Sequence, residues 1–182
     1  MKIKQFKVLK NNLMGLFFLK YLNNQKYLNF SNSDILCYLN QIFKIISNFH
    51  CYNKKILFIF PDNLYEGYSF INKITSCHSG IFKSQWVSGI IGHNKLVIKQ
   101  KKQKFLRPDL VVIFGVNTTD RKIVNELKKF SLPIIGVGFS GNSFSQNNNL
   151  YYCVPFQVTN QNKKILNFCC FLISFILKRP IK

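Results

Sequence analysis

Two short apolar runs flank an amphipathic stretch within residues 107–136. The runs, Leu110–Phe114 and Ile134–Val137, are rich in β-branched residues and bounded by Pro or Gly, which favours strands over helices. Neither alternates polar with apolar residues, so both faces of each strand should be covered, as in a parallel sheet. An apolar stripe at three- and four-residue spacing predicts a helix over 121–130. The segment therefore predicts a right-handed strand–helix–strand crossover.

The sequence also predicts where this helix begins and where the other helices and strands lie. Thr118 or Thr119 is expected to be the N-cap, with Asp120 in the first turn, where the helix dipole favours a carboxylate. Further helices are predicted over 33–49, 64–77 and 161–177. Five strands are predicted to begin near Lys55, Gly80, Leu110, Pro133 and Tyr151. The expected fold is a three-layer α/β/α domain with a mostly parallel five-stranded sheet, formed by residues 26–182 after a basic N-terminal arm, 1–25.

The charge of the chain is extreme for a globular protein. The formal net charge is +20 over 182 residues, with 26 Lys and Arg against six Asp and Glu. A hydrophobic fraction of 47% excludes a disordered basic tail. Such a charge repels itself in the compact state and is typical of a domain neutralised by a polyanion.

A basic run precedes the central crossover, and both termini of the chain lack carboxylates. Lys ammonium groups act on phosphates as point charges and give affinity without base specificity. The sequence therefore predicts RNA-binding residues in the basic run and at both termini. These are Lys95, Lys99, Lys101, Lys102, Lys104 and Arg107 in the run, Lys2, Lys4, Lys7 and Lys10 in the arm, and Lys178 and Arg179 at the end.

Catalytic, cofactor and metal chemistry are all poorly represented. The literal G-x-G-x-x-G at 136–141 leads into an Asn-rich loop, and no carboxylate follows Glu126, so a dinucleotide site is not expected. The three histidines lie far apart in sequence, and six acids leave few partners for general acid–base work. The six cysteines show no C-x-x-C spacing and are expected to be buried, reduced thiols. The sequence predicts no enzyme, no cofactor and no metal site.

Residues 107–142 resemble the universal S-two family of small-subunit ribosomal proteins. Pro108-Asp109 before an aliphatic strand, the helix around Ile123–Leu127, Leu132–Gly136 and Asn142 match the family's core pattern. Trp86, Gly89 and Asn94 resemble its W-L-G-G-x-L-T-N motif. The resemblance implies a flavodoxin-like strand order and a structural role near the head–body junction, on rRNA and neighbouring small-subunit proteins, without a membrane or a small-molecule substrate.

The chain also departs from that family. Bacterial members carry a coiled coil between the Trp motif and the Pro-Asp strand, where this chain has only Lys95–Leu106. It contains no Ala and uses Lys far more than Arg, as an AT-rich gene would produce. Organelle genomes are often AT-rich, so the mitochondrial small ribosomal subunit is the expected location. The alternatives are a flavodoxin-like nucleotide-binding protein or enzyme, or a free RNA-binding module.

Overall fold

The computed structural model describes residues 32–62, 64, 69–91, 107–116, 120–139, 152–157 and 163–177. Within these residues the chain forms four α-helices, five strands and one 3₁₀ turn. The helices are α1 (Asn32–Cys51), α2 (Ser69–Cys77), α3 (Arg121–Lys129) and α4 (Lys163–Ile176). The strands are β1 (Ile56–Phe60), β2 (Ser79–Phe82), β3 (Leu110–Val116), β4 (Ile134–Phe139) and β5 (Tyr152–Gln157). The 3₁₀ turn is Lys83–Gln85.

The strands form a sheet in the order β2-β1-β3-β4-β5, and every neighbouring pair is parallel. Ile56 is paired with Leu110 and Val111 with Ile134, so the first residues of the three central strands lie along one edge of the sheet. This is called the N-terminal edge below, and the opposite one the C-terminal edge. The prediction of an α/β fold with a parallel sheet is confirmed.

Both faces of the sheet are covered, as the continuous apolar runs predict. Alternate residues of β1 and β3, such as Phe58 and Val112, pack with α1, α2 and α4 in one core. The intervening residues, such as Leu57 and Val111, pack with α3 and residues 90–91 in a second core. β1 and β3 are buried along their whole length. The arrangement is consistent with a three-layer α/β fold.

The central crossover forms where the sequence predicts it, with one difference at its first turn. Asp120 is the N-cap residue of α3, has αR backbone angles and makes no side-chain capping bond. Its carboxylate is 2% exposed and pairs with the Lys83 ammonium instead. The expectation that Asp120 lies in the first turn is therefore wrong, because a buried cation holds its carboxylate. Thr118 and Thr119 lie outside the described residues.

Helices α1 and α3 end at the N-terminal edge in the same way. After α1, Asn53 has φ 54°, and the Lys54 N–H donates to the Phe49 carbonyl at 2.9 Å. After α3, Ser131 has φ 53°, and the Ser131 N–H donates to the Lys128 carbonyl at 2.8 Å. A left-handed residue after the last turn satisfies the final helical carbonyls and redirects the chain into the next strand.

Three other expectations compare as follows. Leu64 lies in a bend, outside any helix, whereas the helix was expected to begin there. Cys169 and Cys170 are buried as expected, but Cys37 and Cys77 are exposed because they lie on outward positions of α1 and α2. The arm 1–25 lies outside the described residues. Among the helices described, none is long and apolar enough to cross a membrane.

Candidate functional site

The C-terminal edge, where doubly wound folds bind their ligands, holds a buried lysine. The Lys83 ammonium follows β2 and donates to the Gly115 carbonyl at 2.7 Å and to the Asp120 carboxylate. Burial lowers the pKa of Lys83, while the negative charge of Asp120 and the hydrogen bond to it oppose that shift. This ammonium is thus committed to two acceptors of its own chain and joins the end of β2 to the β3–α3 connection.

A second described acidic residue at this edge, Asp62, is held by a backbone N–H. Asp62 follows β1, and its Oδ1 accepts the Ser84 N–H at 2.8 Å. This bond fixes the 3₁₀ turn against the end of β1. Lys83 joins the end of β2 to β3, and Asp62 joins the end of β1 to the turn after β2. The C-terminal ends of β1, β2 and β3 are therefore linked.

On the face of the sheet that α3 covers, Glu126 also links two segments of the chain. Its Oε1 accepts the Gly89 N–H at 2.7 Å, and its Oε2 accepts the Trp86 indole N–H at 3.2 Å. Trp86 is partly buried and packs on the second core. The indole is therefore a structural anchor, and the carboxylate holds residues 86–89 on α3.

Asp109 completes the set of described carboxylates. Its Oδ2 accepts the Lys55 N–H at 2.8 Å, and its own N–H donates to the Lys55 carbonyl at 2.8 Å. These bonds tie the starts of β1 and β3. All four carboxylates whose side chains are described thus accept hydrogen bonds within the fold, three of them from backbone N–H groups. The described carboxylates therefore have structural roles in linking elements of the fold.

Two histidines that are distant in sequence meet at the N-terminal edge. His50 Nδ1 lies 3.1 Å from His78 Nε2, and His78 stands against the Phe58 ring, with centroids 6.0 Å apart. Burial, with the nearby His50 and Lys55, lowers the pKa of His78 to about 4. His78 Nδ1 is buried and has no hydrogen-bond partner among the described residues. The two rings thus share one hydrogen bond, and no cluster of three or more potential metal ligands exists in the described part of the chain.

Of the twelve residues predicted to bind RNA, only Arg107 is described. It is exposed at the N-terminal edge, and its guanidinium donates to the Phe130 carbonyl at 2.7 Å, with Cζ 6.0 Å from the Phe130 ring centroid. Arg107 therefore braces the end of α3 while part of it still faces solvent. The other eleven residues lie outside the described part of the chain.

The glycine motif contributes backbone geometry to β4. Gly136 and Gly138 both lie in that strand, and Gly138 has φ 75°, a conformation that other residues adopt at a cost. The helix that would hold a pyrophosphate is expected directly after a dinucleotide motif. Residues 140–151 lie outside the described part of the chain, so the absence of a cofactor site stays a prediction.

No family model matches the chain, and no curated protein matches it. The resemblance to the S-two family therefore stays a prediction that rests on the residues quoted for it.

Sequence patterns alone did not indicate the Lys83–Asp120 and His50–His78 contacts. Their members are 37 and 28 residues apart, and they meet because the sheet register brings their loops together. A sequence signal did exist for the first pair. Lys83 follows a short apolar strand and Asp120 follows another, and in a parallel sheet such positions share one edge, so the sequence could have placed the two residues near each other.

Proposed function

We propose that this protein is a structural constituent of the mitochondrial small ribosomal subunit, of the S-two type, and that it binds rRNA. The observation that carries the proposal is the excess of basic residues. The chain has 26 Lys and Arg against six Asp and Glu, which leaves a formal net charge of +20. A domain of this kind needs an external polyanion to neutralise it.

The fold supports the ribosomal form of this proposal. The strand order β2-β1-β3-β4-β5 agrees with the flavodoxin-like arrangement that the S-two resemblance implies. The segment that resembles the Trp motif also has a structural role in this chain. The Trp86 indole N–H and the Gly89 N–H both donate to the Glu126 carboxylate of α3. The two segments that carry the resemblance are thus physically joined.

The same geometry favours a binding role over catalysis. At the C-terminal edge, Lys83 and Asp120 bind each other and Asp62 binds a backbone N–H. A general acid or base must reach the proton of a substrate with its own polar atoms. The described groups at this edge are engaged with the fold, so we propose that the protein is not an enzyme and needs no cofactor.

The basic run is proposed to contact rRNA or a neighbouring small-subunit protein that occupies the place of the missing coiled coil. Substitution of Lys99, Lys101, Lys102 and Lys104 by Gln should weaken incorporation into the small subunit in competition with the parent protein. A control with Lys44, Lys73 and Lys122 changed to Gln removes charge from exposed helix positions and should compete almost normally. Equal incorporation of the quadruple variant and the parent would mean that the run is only a solvated loop.

Sedimentation tests the proposal as a whole. The protein, tagged in its own cells, should fractionate with mitochondria and migrate with the small ribosomal subunit in a density gradient. Nuclease treatment should release it from that position. Migration at the top of the gradient, with saturable binding of a nucleotide, would instead support a flavodoxin-like nucleotide-binding protein. Migration with RNA but away from the subunit would indicate a free RNA-binding module.

A further inference from the structure

Exposed cationic residues gather at the N-terminal edge of the sheet. Five cationic residues lie there, four of them in two adjacent pairs that flank the helix ends. They are Lys54 and Lys55 before β1, Arg107 before β3, and Lys128 and Lys129 in the last turn of α3. All five are exposed.

The backbone holds these residues at one edge. The left-handed turn at Asn53 places Lys54 and Lys55 between α1 and β1, and Lys55 is bonded to Asp109 at the start of β3. Arg107 reaches the Phe130 carbonyl directly after α3. Because α1 and α3 pack on opposite faces of the sheet, the cations extend across all three layers.

The negative charge at this edge is small. Asp109 is the acidic residue described there, and its carboxylate accepts the Lys55 N–H. The C-terminal edge holds two described carboxylates, Asp62 and Asp120, and that of Asp120 pairs with Lys83.

An exposed aromatic side chain lies in the same place. Tyr52 follows the last residue of α1, two residues before Lys54, and is 73% exposed, the highest value among the large hydrophobic residues described. Its N–H donates to the Asn48 carbonyl at 3.0 Å, which fixes its backbone on the helix end. Lysines beside an exposed ring combine phosphate neutralisation with base stacking, the two contacts that bind single-stranded RNA. A protein interface would favour a core of several apolar residues instead.

We propose that the N-terminal edge of the sheet is the RNA-binding surface of this domain, with Tyr52 stacking on an unpaired base. This surface is opposite the edge where doubly wound folds usually place their ligands. The inference rests on the proposed RNA-binding function and assigns it to described residues.

Two triple variants, each lacking three positive charges, test whether RNA binds at the N-terminal edge. One changes Lys54, Lys128 and Lys129 to Gln, and the control changes Lys44, Lys73 and Lys122 to Gln. The probe is an RNA hairpin with a single-stranded loop, titrated into the full chain over a salt series, with folding checked by circular dichroism. Each lost phosphate contact reduces the slope of log affinity against log salt by about 0.7–0.9, so the edge variant should lose roughly 2 to 3 and the control less than about 1.

Tyr52→Ala tests the stacking part separately. It should weaken binding of the hairpin loop by roughly five- to a hundredfold and leave the salt slope unchanged. Phe171→Ala is the control, since Phe171 is 44% exposed on α4 and should have no effect.

The outcomes separate the surface from the function. If both triple variants lose the same slope, the charge has no preferred face and the assignment of the N-terminal edge is wrong, while RNA binding stands. If the edge variant binds RNA like the parent, the edge serves a protein partner and the inference is overturned. If the parent chain does not bind the hairpin, the proposed function and the surface both fail.

Discussion

His78 makes folding sensitive to mild acid. Its pKa is about 4 in the folded protein, below the ordinary value of 6.5, because burial, His50 and Lys55 all disfavour the charged ring. The unfolded chain therefore binds the proton more readily. The stability linked to His78 is fully present above pH 6.5 and is lost as the pH falls toward 4. The full pKa shift of His78 corresponds to about 3 kcal/mol of unfolding free energy. This is an upper value, because the ring is only partly buried.

Urea unfolding of the parent protein and of His78→Gln between pH 7 and pH 4 checks this prediction. The parent should lose stability more steeply than the variant over that range. Carboxylates contribute equally to both proteins, so the difference between the two curves isolates the histidine. Parallel curves would show that His78 titrates normally.

Substitutions in the Lys83–Asp120 pair measure how much unfolding free energy is lost when a charge in the fold has no partner. Asp120→Asn removes the counter-charge of the Lys83 ammonium, and Lys83→Met leaves the Asp120 carboxylate without its ion pair. Each change should cost about 3–5 kcal/mol of unfolding free energy. The double variant should cost clearly less than the sum, since neither charge is then left alone. Additive losses in a double-mutant cycle would contradict the pairing.

At the scale of elements, helix α3 holds the loop of residues 86–89 in place through Glu126. Glu126 accepts two N–H groups from residues 86–89, and a carboxylate is suited to this because both its oxygens are acceptors. Glu126→Gln puts an NH₂ group against one of these donors and should cost about 1–3 kcal/mol. Trp86 is the one tryptophan of the chain, so its fluorescence reports the change directly.

The expected result is a Trp86 emission that moves toward that of a solvated indole in Glu126→Gln, while circular dichroism stays unchanged. Asn125→Gln, at the neighbouring exposed position of the same helix, is the control and should leave the emission as in the parent. An unchanged emission in Glu126→Gln would mean that packing alone holds the indole.

The elements show why some features could be predicted from sequence and others could not. β3 is a continuous apolar run bounded by Pro108 and later polar residues, and it begins at Leu110 as predicted. Such runs have one stable solution, burial on both faces of a sheet. Asp120 was predicted to lie in the first turn because the helix dipole favours a carboxylate there, yet its carboxylate binds Lys83, 37 residues away. Local rules describe elements, whereas loop contacts depend on the register of the assembled sheet.

At the scale of the whole molecule, the excess positive charge governs behaviour. RNA affinity of the isolated chain should fall at least tenfold between 50 and 200 mM salt, because several phosphate contacts release counterions. Filter binding or fluorescence anisotropy with an RNA hairpin would measure this. An affinity that does not depend on salt would contradict an electrostatic account.

The central claim is that this charge belongs against the RNA of the small ribosomal subunit. Ultraviolet cross-linking in intact cells, followed by purification of the tagged protein and sequencing of the attached RNA, tests it most directly. The account predicts that the recovered RNA is mitochondrial small-subunit rRNA, and that recovery falls when Lys54, Lys128 and Lys129 are changed to Gln. Recovery of other RNA in place of this rRNA, or of none, would contradict it.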